Sequence, residues 1–141
     1  MSYQHILVAV DLTDDSQTVI HKAVNLAKEV NAEVSFIHID INHSELYTGL
    51  IDLNMRDTQN HANAAAHEKL QHLAQQADVP VKHTLVSHGE FSDEIVEAIS
   101  ERKVDLLVCG HHQDFWSRIV SSTRQLINST PVDMLIVPIK H

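Results

Sequence analysis

The stretch DLLVCGHHQDFWSRIVSSTRQLI, residues 105–127, decides the fold. It opens on an apolar run, Leu106–Cys109, that stops at Gly110. A run so short, rich in branched aliphatic residues and bounded by Asp105 and a glycine, reads as a strand buried on both faces. From Ser117 to Asn128 the period changes. Ile119, Val120, Thr123, Leu126 and Ile127 recur at helical spacing and form one stripe. Strand, turn and helix in that order are the repeating unit of a parallel sheet covered by helices. Such sheets bind ligands beyond the carboxyl ends of their strands, so the turn after Gly110 is also a candidate site.

The same unit recurs along the chain. Strands are predicted over His5–Val10, Glu33–Ile39, Val81–Ser87, Asp105–Cys109 and Val132–Ile139. The first helix, Asp15–Val30, carries Val19, Ile20, Ala23, Val24, Ala27 and Val30 on one face. The second, Arg56–Ala77, carries Ala62, Ala66, Leu70, Leu73 and Ala77. The third, Ser92–Arg102, turns Ile95, Val96 and Ile99 inward, with Ser92 as its N-cap. Strands alternating with helices predict an α/β fold, a five-stranded parallel sheet with helices on both faces. No low-complexity stretch, Pro/Gly linker or internal repeat divides the 141 residues, so residues 1–141 are expected to form a single domain.

Charge and composition narrow the function. The formal net charge is −9, which argues against a nucleic-acid backbone or an anionic membrane as partner, since both require a basic face. The apolar run Ile6–Val10 is too short for a signal segment or a membrane span, and a cytoplasmic location is expected. The single cysteine, Cys109, cannot support an internal disulfide framework and lies in an apolar run as a small core residue.

Each candidate chemistry meets an obstacle. Close approach of backbone N–H groups to phosphate favours glycine, and the chain has only three, Gly49, Gly89 and Gly110. No P-loop or G-x-G-x-x-G can be written. The twelve histidines include His111–His112 and the set His38-x-Asp40-x-x-His43, but His61, His67 and His72 miss the i, i+4 spacing of a helical metal pair. No metal site and no cofactor are expected. No G-x-S-x-G elbow is present, and Ser117, Ser121 and Ser122 fall in a helical pattern, so no catalytic residue is assigned. Ser121, Ser122 and Thr123 remain candidate phosphoacceptors near Arg118 and Arg124, and a phosphate nearer the start of that helix would also meet a favourable dipole. Asp11, directly after the first strand, can hydrogen-bond a ribose or base, or equally serve as a turn and capping residue in DLTDDS.

The last strand, PVDMLIVPIK, raises a different question. If it ends the sheet, it exposes an apolar edge, and only Asp133 within it is charged. Pairing of two such edges would give an isologous homodimer, with Val132, Asp133, Met134, Leu135, Ile136 and Val137 at the interface. The alternative is that this strand is internal and another forms the edge.

Together HILVAVDLTDDS, VSFIHIDI, SELYTGLIDLNM, DLLVCGHHQDFWSRIVSSTRQLIN and VDMLIVPI resemble the universal stress protein family, in order and over essentially the whole chain. LYTGLID and GHHQDFW resemble its UspA type in particular. The resemblance implies a Rossmann-like sheet of order 3-2-1-4-5, a cytoplasmic homodimer formed through the last strand, and a role in surviving growth arrest and environmental stress. Phosphorylation on Ser or Thr is a further theme of the family, and an unidentified protein partner would fit a non-enzymatic role.

One branch of that family binds ATP through G-x2-G-x9-G-[S/T] after the fourth strand; the UspA branch lacks the pattern. Here Asp11 matches the acid that contacts the nucleoside, Ile39 the aliphatic residue whose backbone reads adenine, and Gly110 the first glycine. Gln113 then stands at the second glycine, Thr123 at the third and Arg124 at the Ser/Thr. A hydrogen bond to a charged group contributes roughly 1.5–3 kcal/mol, so three lost phosphate contacts remove roughly 5–9 kcal/mol. Micromolar binding amounts to about 8 kcal/mol in all. Arg124 would recover part of this by pairing a phosphate. Phe115 and Trp116 are expected to fill or cover the cleft. The resemblance thus implies a degenerate nucleotide cleft; an ATP-binding switch, slow ATPase or autokinase is the alternative.

Overall fold

The computed structural model describes residues 3–12, 16–40, 53–112 and 126–139. Its elements are β1 (His5–Ala9), α1 (Ser16–Val30), β2 (Glu33–Asp40), α2 (Leu53–Gln76), β3 (Val81–His88), α3 (Phe91–Arg102), β4 (Leu106–His112) and β5 (Asp133–Ile139). Residues 126–129 form a helical turn before β5, and the rest of the fourth predicted helix lies outside the described residues. The strands form one parallel sheet in the order β3-β2-β1-β4-β5.

Strand periodicity builds two cores. Successive side chains on a strand point to opposite faces. Ile6, Val8 and Val10 therefore meet Val19, Ile20, Ala23, Val24 and Ala27 of α1 and Leu70 of α2. Leu7, Ile37, Ile39 and Leu107 meet Ile95, Ala98 and Ile99 of α3, with Leu126, on the other face. Three expectations change. Val30, at the last position of α1, is only half-buried, because the chain leaves the helix through Asn31 at φ 59°. Ile127 is 54% exposed, since only its neighbour Leu126 faces the core.

The third correction concerns the N-cap of α3, which is Glu90 rather than Ser92. Glu90 has extended backbone, φ −77° and ψ 131°, and its carboxylate accepts the Asp93 N–H at 2.9 Å. Ser92 is buried and donates its hydroxyl to the same carboxylate at 2.7 Å. Both bonds hold the Glu90 carboxyl below the usual range. Gly89, at φ 136°, makes the turn from β3 into this cap.

A polar clamp closes the amino-terminal end of the sheet. Asp105 accepts the backbone N–H of Gln4 at 2.8 Å and of His5 at 2.9 Å, which fixes the start of β1 beside β4. The His5 ring is 4% exposed. Its Nδ1 donates to the Arg102 carbonyl at 2.9 Å, so in the neutral ring Nε2 accepts from Ser35 Oγ at 2.7 Å. One imidazole thereby joins β1, β2 and the end of α3.

His83 on β3 lies beside this clamp, its ring centroid 6.4 Å from that of His5. Burial holds its imidazole below the usual histidine range; Arg102, Lys82 and His5 add to the effect and Glu33 opposes it. Such a ring binds fewer protons folded than unfolded. Its contribution to stability is complete above about pH 6.5 and is lost as pH falls below that. We expect the melting temperature to drop between about pH 7 and pH 5.5, and His83→Gln to make that drop shallower. Circular dichroism melts across that range check it; identical slopes would remove His83 as the source.

Candidate functional site

The chain lays β1, β2 and β3 side by side in one direction, then returns to place β4 on the other side of β1. The strand order reverses between β1 and β4, and the carboxyl ends of these two strands flank the crevice. Register levels the candidates there. Ala9 pairs with both Ile37 and Cys109. Asp11 and Ile39 each lie two residues beyond that pairing and Gly110 lies one beyond, so all three stand at the same end of the sheet.

Their environments differ. Asp11 is exposed, and Leu12 after it adopts φ 65°. The left-handed region costs a non-glycine residue roughly 1–2 kcal/mol, so the turn that carries Asp11 is strained. Ile39 is buried in the second core. Gly110 is half-buried on β4, opposite Val137. Gln113, Phe115, Trp116, Ser121, Ser122, Thr123 and Arg124 lie outside the described residues, as does His43.

His38 takes a role that its sequence position did not signal. Its Nδ1 donates to the Val10 carbonyl at 2.8 Å and ties the end of β1 to the end of β2. This occupies one ring nitrogen in a structural bond at the mouth of the crevice. Cys109 is buried, and burial pushes its thiol up to about 11. A thiol that stays protonated is a poor nucleophile. Among the described residues no group of three or more His, Cys, Asp or Glu converges as a metal site, and no helix is long and apolar enough to cross a membrane.

The second candidate surface is β5, which ends the sheet. Leu135 is 38% exposed and Ile136 40%. Adjacent strand residues point to opposite faces, so both faces of the strand are uncovered there. With Ile127 these are the exposed large hydrophobic side chains among the described residues. Val137 is buried, while Val132 and Met134 are partly buried against the second core. Asp133 accepts the Tyr3 hydroxyl at 2.9 Å within the same chain.

A parallel sheet of this order, with its crevice between the first and fourth strands, defines a doubly wound α/β protein. Residues 2–138 match the universal stress protein family model, and the chain belongs to that family. It is 51% identical over 140 residues to universal stress protein A of Yersinia pestis, across 99% of this chain and 95% of that protein. It is 50% identical to universal stress protein A of Escherichia coli K12, across 99% and 97%. Two solved structures share the fold. A universal stress protein in complex with cAMP aligns with TM-score 0.67 at 21% identity over 98% of both chains. The Archaeoglobus fulgidus universal stress protein in complex with dAMP aligns with TM-score 0.62 at 19% identity, over 99% of this chain and 100% of that one.

Proposed function

We propose that this chain is a non-enzymatic stress-response factor, a cytoplasmic homodimer that supports survival during growth arrest and environmental stress. The observation that carries the reading is the identity of about half of all positions, over nearly the whole chain, to proteins named universal stress protein A. The exposed Leu135 and Ile136 support pairing through β5. The cleft retains a nucleoside end, at Asp11, Ile39 and Gly110, while Gln113, Thr123 and Arg124 replace the phosphate-binding glycines and hydroxyl. The protein then acts through a protein partner or through phosphorylation at Ser121, Ser122 or Thr123.

A nucleotide-binding switch, slow ATPase or autokinase is the second reading. It is favoured by the levelling of Asp11, Ile39 and Gly110 at the switch point, with strain stored at Leu12. Structures of this fold hold cAMP and dAMP, each with a single phosphate group.

Calorimetric titration of nucleotide-stripped protein with ATP, ADP and AMP separates the two. The first reading expects no saturable heat and no shift in melting temperature up to about millimolar ligand, because a ligand that binds only the folded state must stabilise it. Saturable micromolar binding that Asp11→Ala abolishes would establish the second. Binding that survives Asp11→Ala would overturn the second reading's site.

A further inference from the structure

The sheet has a second edge, and it is built differently from β5. β3 ends the sheet opposite β5, with α2 packed on one face and α3 on the other. Along it runs an open groove of about 280 Å³. Thr84–Ser87 form its floor and His67 of α2 contributes one wall. Glu94, Glu97 and Glu101 of α3 form the other, with Arg102 at its end. The glutamates follow i, i+3, i+7 spacing, so they make one stripe. They crowd one another: burial pushes the Glu94 carboxyl up, the charges of Glu97, Asp93 and Glu101 add to it, and only His88 opposes.

We propose that the β3 edge accepts an extended, lysine- or arginine-bearing segment of another protein as an added strand. The outer side of an edge strand presents alternate backbone N–H and C=O groups, which supply affinity without sequence preference. The acidic wall supplies the selection. Glu94 and Glu101 are seven residues apart on a helix, about 10.5 Å along its axis. Alternate side chains of a strand are about 6.7 Å apart, so two cations at positions i and i+2 fit within the row. A second copy of this chain is a poor occupant, because its net charge of −9 opposes the wall. The β5 edge, with its exposed leucine and isoleucine, has the opposite character.

The test is an NMR titration of the ¹⁵N-labelled full chain with a capped peptide of alternating lysine and valine. A glutamate–valine peptide of equal length is the control. Saturable shifts are expected in the amides of Thr84–Ser87 and in α3. Binding should be at least about tenfold tighter than for the control, and weaker at about 1 M salt. The combined variant Glu94→Gln, Glu97→Gln, Glu101→Gln should lose the binding with its circular dichroism spectrum unchanged. The single reversal Glu97→Lys repeats the test if the triple variant does not fold. Shifts confined to α3, which mean only loose ion pairing, would overturn the proposal. So would shifts at β5, or binding that survives these substitutions.

Discussion

Leu135→Lys combined with Ile136→Glu is expected to sediment as a 15.9 kDa monomer, and the unaltered protein as the proposed dimer. The two side chains stand about two-fifths exposed on opposite faces of the terminal strand. Burying a leucine or isoleucine completely is worth about 1.5–3 kcal/mol, so covering the remaining exposure yields roughly 0.6–1.2 kcal/mol per side chain. Two-fold symmetry repeats the contact, for a total of roughly 2–5 kcal/mol. The substitutions remove that and place four charges where water would be excluded, which raises the cost further. Dimer dissociation should therefore shift by about a hundredfold or more. Sedimentation velocity across a concentration series reads this directly. An unchanged dimer mass in the variant would dispose of the edge-strand interface. An unaltered protein that is monomeric would remove the homodimer from the proposed function.

Phe36→Ala should cost the folded state about 3–5 kcal/mol, a large part of the roughly 5–15 kcal/mol typical of a whole domain. Phe36 is 0% exposed on β2, between the central strand and β3, and packs within the core that α1 and α2 cover. β2 is held on both sides by strand pairing, so its backbone cannot shift to fill the space. Ile127→Ala is the matched control: at 54% exposure it should change stability by only about 1 kcal/mol. Urea denaturation followed by circular dichroism gives both values. A loss below about 1 kcal/mol at Phe36 would mean that the site repacks and that the core is looser than its burial implies.

That pair shows where the sequence was legible. The strand runs and the first three helical stripes lay in place to within a few residues, since periods of 2 and 3.6 are local properties of the chain. Leu126 and Ile127 are adjacent, and a helical stripe admits both; only the direction of the sheet decides that Leu126 is buried and Ile127 is not. The cap of α3 escaped for a related reason. Glutamate is not a favoured N-cap, and Glu90 serves because Gly89 turns the backbone and Ser92 adds a hydrogen bond to the same carboxylate.

The candidate site divides in the same way. Asp11 was visible as a residue after a strand and Gly110 as the glycine that ends an apolar run, where β4 in fact continues to His112; their common level depends on Ala9 pairing with both Ile37 and Cys109. His38 and His5 were two histidines among twelve. Their roles come from acceptors far away in sequence, the Val10 and Arg102 carbonyls. By itself the sequence determined the alternation of strands and helices, the apolar character of the last strand, the net charge and the scarcity of glycine, because each is written in composition or short-range pattern. Tertiary structure decided that β3 and β5 end the sheet, that the crevice falls between β1 and β4, and which polar side chains clamp the strand ends. Those features depend on which strands become neighbours, and pairing across the sheet joins residues that no local period connects.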